Sequence, residues 1–457
     1  MVSDIRPAVP QENATPQESG LRHQLSAGQM AMVAVGGSIG TGLLLGSAAA
    51  MEIAGPAVIL SFLIAGFISW TVTMALGELS SEHPAAGSFG LYADLYLSPW
   101  AGFISRAGYW IAISVSVGAN LVASATYMRY WFPAVPALVW IALFSLLLIV
   151  VNLRSVGDYG RFEFWFAMVK LATMVTFIII GGMLLTGGRV PAQYTSQGGF
   201  FPRGVLAPFL AMTFALYTFG GIEIVAITTG ESRSAAEIPR AVRLTFITLG
   251  FVYLGAIVVL VGVMPWNRVG VTESPFVTVF RTVGIPAASS LMSFVILTAA
   301  LSGANANLYS ASRMLFSLAR GGWAPASLGR LNAAGSPQLA LVASSYGIVV
   351  AVVLEMWVPG NAFVYILSGA LFGLMLSWLV SLAAHISCRR RMSSSQVNSL
   401  SMRSPLGAWG SALGLTLVTA AILKTWWDSR VSLISGVSTL LFLSVAYVLL
   451  RSGKMRT

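Results

Sequence analysis

The chain has 457 residues, of which 56% are hydrophobic and only 9% charged, and its formal net charge is +11. A soluble protein of this length could not cover so much apolar surface, so the composition excludes a water-soluble globular protein and requires a bilayer as solvent. Cys388 is the single cysteine, which rules out an intrachain disulfide, and three scattered histidines offer no metal cluster.

Residues 1–27 read as a disordered cytoplasmic tail, polar and without the basic-then-apolar form of a cleaved signal. Largely apolar stretches then recur at 28–50, 55–78, 100–128, 136–153, 162–186, 205–230, 241–264, 287–318, 338–357, 361–387, 408–427 and 431–450. The predicted fold class is therefore an all-α polytopic membrane protein with twelve transmembrane helices. Setting the N-terminus in the cytoplasm places most of the 26 Lys and Arg on that side, including Arg106, Arg154, Arg240, Arg313 and the run Arg389-Arg390-Arg391. Outer loops receive fewer, among them Arg129, Arg189, Lys424 and Arg430. This is the positive-inside bias of a multi-pass protein of the cytoplasmic membrane with both termini cytoplasmic. The basic charge thus reports topology and attraction to a lipid bilayer, and not nucleic acid.

The first span is interrupted at Gly36-Gly37-Ser38-Ile39-Gly40-Thr41-Gly42, and a second interruption, Phe219-Gly220-Gly221-Ile222-Glu223, follows about 180 residues later. An unwound backbone at membrane depth survives only inside protein or lining a cavity, and paired breaks in two halves of a chain point to a transporter site. Five spans fall in each half, giving repeat 1 at 28–190 (TM1–5) and repeat 2 at 200–391 (TM6–10). Two further spans at 405–452 (TM11–12) and a tail at 453–457 complete the chain. An odd number of spans per half sets the halves in opposite orientation, the 5+5 inverted-repeat arrangement.

Freed N–H groups in the first break suit a carboxylate. The same glycines, Gly36 with Gly40 and Gly42 with Gly46, also fit close helix packing, and spacing does not separate the two uses. Unwound carbonyls from Tyr217 to Gly220 suit an ammonium group, so the two breaks together match a zwitterion. Glu223 lies within a span, where an ionised carboxylate is costly and marks function by default; it equally suits tying broken helix ends together. Lys170 sits nine residues past Arg161, about 13 Å of helix rise, too deep for easy snorkelling. A lysine without water gives up its proton more readily than one in solution. Lys170 is therefore either a proton-coupling group or a structural charge neutralised by backbone carbonyls or Glu223. Polar stripes, Ser116/Asn120/Ser124 in the third span and Thr298/Ser302/Asn305/Tyr309 in the eighth, can line a pocket or join helices, with Asn307 off the second stripe. Glu52, Glu78 and Glu355 fall at span ends and read as solvated or capping.

At these residues the chain resembles the bacterial amino-acid transporter branch of the amino acid–polyamine–organocation (APC) superfamily, over roughly residues 25–390. The matching stretches are Gly37-Ser38-Ile39-Gly40-Thr41-Gly42, Gly77-Glu78-Leu79, Pro84-Ala85-Ala86-Gly87-Ser88-Phe89 and Phe162-Glu163-Phe164-Trp165-Phe166-Ala167-Met168-Val169-Lys170. They continue in Phe219-Gly220-Gly221-Ile222-Glu223, Glu237-Ile238-Pro239-Arg240-Ala241 and Ser312-Arg313-Met314-Leu315. One departure is Ser234-Ala235, where relatives often carry Asn-Pro, and it bears on loop conformation alone.

The resemblance implies a LeuT-type fold with broken helices 1 and 6, and uptake of amino acids, usually with protons. Carried over, the substrate-binding residues are Ser38, Ile39, Gly40, Thr41 and Gly42 for the carboxylate, and Tyr217, Thr218, Phe219 and Gly220 for the amino group. Asn120 and Asn307 join them as pocket side chains, and the Tyr217 ring would act as a gate. Lys170 falls at a fifth-span lysine that some relatives use in place of sodium, and Lys170 and Glu223 are the proton-coupling candidates. The expected function is a secondary active transporter importing neutral or zwitterionic amino acids, GABA-like ones included, by proton symport. An exchanger is the alternative; an intramembrane enzyme or a channel is remote. The expected partners are a small-molecule amino acid and the bilayer, with no cofactor and the proton gradient as energy source.

Overall fold

The computed structural model describes residues 20–40, 42–153, 156–268, 276–277, 279, 288–357, 362–428 and 430–454. Among these residues the protein is all-helical, and the one extended pairing is an isolated bridge between Leu25 and Ser232. That bridge corrects part of the predicted tail. Leu21 and Leu25 are buried, and the Gln24 and Leu25 N–H groups donate to the Glu231 carbonyl at 3.0 and 2.9 Å. Two leucines in an otherwise polar stretch suffice to pack residues 20–26; the earlier part of the predicted tail lies outside the described residues.

Helix α1 (Ala27–Ser38) starts at a capping box: Ser26 and Gln29 satisfy each other's backbone N–H groups. After the first break come a π turn at Gly42–Gly46 and α2 (Ser47–Ala54). Gly55, at φ +59°, turns the chain into α3 (Val58–Glu82). A short α4 (Ser88–Tyr96) leads to α5 (Pro99–Met128), which opens on a proline at the helical position where a missing N–H costs nothing. Then follow α6 (Ala137–Asn152) and α7 (Val156–Thr186). The second interrupted span is α8 (Ala207–Thr218) and α9 (Ile224–Thr228), ahead of α10 (Glu237–Val263). The rest comprises α11 (Ala288–Arg320), α12 (Gln338–Ser344), α13 (Tyr346–Trp357), α14 (Ala362–Arg391), α15 (Ser394–Ser399), α16 (Gly407–Asp428) and α17 (Arg430–Lys454).

Among the described residues, eight helices have the length and hydropathy to cross a membrane. Helix α5 is the central post, packed most extensively on α11 and then on α14. Its most apolar stretch is 72% buried, against 17% for that of α17, which lies at the periphery. Leu146, Trp409 and Phe442 are exposed large apolar side chains, as lipid-facing surfaces require.

Several charges predicted for loops or span ends are inside the protein. Arg106 pairs with Asp94, and Arg313 pairs with Glu231 at 3.1 Å. Lys424, predicted for an outer loop, donates to the Leu210 carbonyl and the Thr213 hydroxyl. Glu78 is not a solvated cap: it faces His385 at 3.0 Å and Arg389 and accepts from the Ser404 N–H at 2.7 Å. Burying a charge is costly unless it is paired or hydrogen-bonded: Arg106, Arg313 and Glu78 face opposite charges, and Lys424 is held by a carbonyl and a hydroxyl.

Candidate functional site

The two breaks meet. Helix α1 closes with the Ile39 N–H on the Val35 carbonyl at 2.8 Å. Helix α8 closes with the Phe219 N–H on the Leu216 carbonyl at 3.1 Å, and the Gly220 N–H then turns back to the Tyr217 carbonyl at 3.0 Å. Gly221 has φ +101°, and a Cβ there would lie 2.9 Å from both the Gly37 carbonyl carbon and the Ser38 nitrogen. Only glycine meets both demands. Gly42 is similarly close: a Cβ would stand 3.0 Å from the Thr218 Cα and 3.1 Å from the Tyr217 ring. Packing is thus one use of these glycines.

A cavity opens between the breaks, lined by Gly37, Ser38, Gly40 and Gly42 on one side and by Tyr217, Gly220 and Gly221 on the other. Helix α5 adds Ile113, Ser116 and Asn120, while α11 adds Asn307 and α14 adds Leu374. The unfilled space amounts to about 500 Å³, open solvent included. Among the described residues its lining has no charged side chain. What it offers is backbone at two helix ends, hydroxyls, two carboxamides and two aliphatic walls. The Ser38 hydroxyl is buried without a hydrogen-bond partner among the described residues, a donor and acceptor left over at the cavity wall.

Of the predicted binding residues, Ser38, Gly40, Gly42, Asn120, Tyr217, Gly220 and Asn307 line this cavity together. Thr41 lies outside the described residues. Three others do not reach the lining. The Ile39 carbonyl is turned to Lys170 at 3.1 Å. The Thr218 hydroxyl returns to the Phe214 carbonyl at 3.0 Å. Phe219 is core, edge-on to Tyr253 with ring centroids 4.9 Å apart. A break in a helix turns some side chains toward the cavity and the next ones away from it, which a contiguous motif cannot reveal.

Lys170 sits directly behind the first break. Its Nζ donates to the Gly36 carbonyl, to the Ile39 carbonyl at 3.1 Å and to the Ser302 hydroxyl at 2.8 Å. The ammonium therefore caps the carbonyl end of α1, where the helix dipole is negative. The carboxylate beside it is Glu163, and not Glu223. Ser302 donates to Glu163 Oε1, and the Asn305 amide donates to Oε2 at 2.8 Å. Asn152 in turn donates to Asn305 Oδ1 at 2.6 Å. A Cβ on Gly36 would collide with Glu163 Oε1, so the glycine admits the carboxylate to the helix end.

Glu223 belongs to the second break alone. It accepts from the Tyr109 hydroxyl at 2.9 Å, the Trp378 indole at 3.1 Å and the Gly221 N–H at 3.2 Å. It thereby ties the unwound segment to α5 and α14. No hydrogen bond described links it to Lys170.

Two buried groups escaped the sequence reading. Glu163 precedes Lys170 by seven residues, two helical turns on one face, a signal that was visible in the spacing. Glu231 pairs with Arg313 across 82 residues and accepts from Tyr309, whose ring carries the Arg313 guanidinium at 3.9 Å and stacks on Tyr159 at 4.4 Å. No local pattern joins those residues.

The sequence profile of the amino acid permease family matches residues 29–452. The chain is 33% identical over 441 residues to the uncharacterized amino acid permease YtnA of Bacillus subtilis (strain 168), covering 94% of this chain and 95% of that one. It is 35% identical over 413 residues to the aromatic amino acid transport protein AroP of Escherichia coli (strain K12), covering 89% and 90%. With the gamma-aminobutyric acid permease of B. subtilis it shares 32% identity over 450 residues, covering 96% and 95%. Its fold is similar to that of the Eremococcus coleocola manganese transporter solved with an aromatic bis-isothiourea substituted compound, at TM-score 0.56 and 13% identity over 100% of this chain and 99% of that one. The chain belongs to the amino acid permease family of the APC superfamily, and is a multi-pass membrane transporter and not an enzyme.

Proposed function

We propose that the protein imports a neutral or zwitterionic amino acid across the cytoplasmic membrane by alternating access, with protons as the coupled ion. The observation that carries this reading is the uncharged cavity between two interrupted helices, with a buried lysine latched to one of them. A cavity wall without charge disfavours a cationic or anionic side chain on the ligand. Opposite ends of helix dipoles instead match the two charges of an amino acid backbone. In this reading the N–H groups around Thr41 and Gly42 receive the carboxylate, and carbonyls near Tyr217 and Gly220 receive the amino group. Ser38 supplies its spare hydroxyl. Tyr217, whose ring lies over Gly42, closes the site. Asn120, Asn307, Ile113 and Leu374 face the ligand side chain.

The frame for this cycle is twelve crossings in a 5+5 inverted repeat, with both termini cytoplasmic. Relatives named for aromatic amino acids, for gamma-aminobutyric acid and, as probable, for threonine and serine share this chain's length. The ligand is therefore set by side chains in the cavity and not by the frame. Lys170 holds α1 while protonated and relaxes that hold when neutral, which links proton loss to movement of the first break.

The deciding experiment is uptake of radiolabelled amino acids into proteoliposomes empty of substrate, with an imposed inward proton gradient and no sodium. Accumulation that collapses with a protonophore is expected. Uptake that requires preloaded internal amino acid would make the protein an exchanger and leave Lys170 a fixed charge.

A further inference from the structure

Glu163 is fully buried, and the transport cycle as described gives it no task. Its hydrogen bonds have a direction. Lys170 Nζ donates to Ser302 Oγ, and Ser302 Oγ donates to Glu163 Oε1. A donor chain of this polarity is a ready path for one proton.

We propose that Ser302 relays the Lys170 proton to Glu163, which is the acceptor that lets the lysine discharge. The inference rests on the proton-coupled reading above. In the step, an Nζ–H bond of Lys170 breaks as a new Oγ–H bond forms on Ser302. The original Ser302 O–H breaks as Glu163 Oε1–H forms. An ammonium and a carboxylate become an amine and a carboxylic acid, with no change in net charge. The hydrogen bonds survive in reverse: Glu163 Oε1–H donates to Ser302, and Ser302 donates to the amine lone pair. No polar group is orphaned, and two desolvated charges are removed, so the neutral pair is an accessible state of a water-free site.

The consequence falls on the first break. The neutral amine loses its charge-assisted hold on the Gly36 and Ile39 carbonyls. Gly36 also covers Glu163, since a Cβ there would strike Oε1. Withdrawal of α1 at Gly36 thus uncovers the protonated carboxyl. Water on the cytoplasmic side then takes the proton, and Glu163 returns to carboxylate. Ligand site and proton acceptor are gated by one stretch of backbone.

The other titratable groups around Glu163 are Tyr159 on its own helix, Tyr309 and Arg313 on α11, and Glu231 after α9. Arg313 is committed to Glu231 at 3.1 Å and so leaves Lys170 as the countercharge of Glu163. Helices α1 and α6 carry no titratable side chain. On α10 the titratable residues are Glu237, Arg240, Arg243 and Tyr253, and Glu237 is occupied by the Ala27 N–H at 2.6 Å.

The test compares two activities of the full chain in proteoliposomes: proton-driven accumulation, and counterflow at equal pH with substrate on both sides. The probes are radiolabelled phenylalanine, GABA, threonine and serine, using whichever the wild type takes up. For Glu163→Gln and Ser302→Ala the ratio of accumulation to counterflow is expected to fall about ten-fold or more, within the range of site–site coupling. Ser302→Thr, which keeps the hydroxyl, is expected to restore the ratio. A wild-type ratio in Ser302→Ala, or in a Glu163→Gln protein that still runs counterflow, overturns the relay. If Glu163→Gln loses both activities, the Ser302→Ala and Ser302→Thr pair decides: equal ratios overturn the relay, and rescue by threonine supports it. Absence of proton-driven accumulation in the wild type would instead overturn the coupling reading, and the relay with it.

Discussion

Gly221→Ala is the sharpest perturbation of the clasp between the breaks. At φ +101° an L side chain is strained, by about 1–3 kcal/mol for a sparsely populated backbone region. The new methyl would also stand 2.9 Å from the Gly37 carbonyl carbon and the Ser38 nitrogen. Those are backbone atoms, which cannot swing aside as the end of a flexible side chain can. Overpacking of this kind adds about 1–3 kcal/mol. The lower bound of the sum, about 2 kcal/mol, already shifts an equilibrium roughly 30-fold. The population with both breaks clasped should fall by that factor, and initial uptake with it. Gly182→Ala is the control, because nothing lies within 4 Å of its Cβ position. In α7 that change should be neutral, or stabilising by up to about 1 kcal/mol through helix propensity. The assay is initial uptake rate in proteoliposomes together with the thermal midpoint in detergent. A Gly221→Ala protein that matches Gly182→Ala in both would refute the clasp.

Lys170→Ala should abolish proton-driven uptake while ligand binding, read by isothermal titration, stays measurable. Leaving Glu163 buried without its countercharge should also cost about 3–5 kcal/mol, and adding Glu163→Gln to Lys170→Ala should recover part of the lost thermal midpoint. Unchanged proton dependence in Lys170→Ala would return the lysine to a structural role. Glu223→Gln replaces an acceptor that receives three donors by a group that carries donors of its own. Thermal stability and uptake should fall while the proton dependence of residual uptake persists, and a selective loss of proton dependence would place Glu223 in the coupling path. Tyr217→Ala should reduce turnover and occlusion more than initial binding, and wild-type turnover would exclude the ring as a gate. An amine analogue without the carboxylate should fail to compete for uptake, and strong competition would sink the assignment at Gly42.

The apolar stretches and both breaks were legible because each is written in contiguous residues. The first break announces itself as a cluster of glycines, Gly36, Gly37, Gly40 and Gly42, and the second as the pair Gly220-Gly221. Pairings across the fold were not legible in that way. Arg313 looked like a loop cation because its partner Glu231 lies on another segment, and Lys424 looked like an outer-loop charge because its acceptors are Leu210 and Thr213. Within a motif, spacing shows which residues sit together but not which way an unwound segment turns them. Phe219 and Thr218 adjoin Tyr217 in sequence, yet only Tyr217 lines the cavity. The stripe Ser302/Asn305 faces Glu163, whereas the off-stripe Asn307 faces the cavity, and a helical wheel alone gives no means of ranking the two faces.

The placement of charge suits the proposed coupling of an uncharged cavity to protons. Among the described residues, no ionisable group except the Tyr217 phenol is on the cavity wall. Instead Lys170 and Glu163 stand behind the first break, and Glu223 stands behind the second. Each acts on a helix end that faces the cavity from the other side. Under the proposed coupling, a ligand in the cavity and a proton on Lys170 or Glu163 would not compete for the same atoms, and each would bias the position of the backbone between them. That is the physical requirement for coupling: two sites, one element with two arrangements, and a different contact made by each ligand in each arrangement. On that proposal, exchange of a wall residue such as Ile113, Asn307 or Leu374 would change the ligand preference and leave Lys170, Glu163 and Glu223 in place.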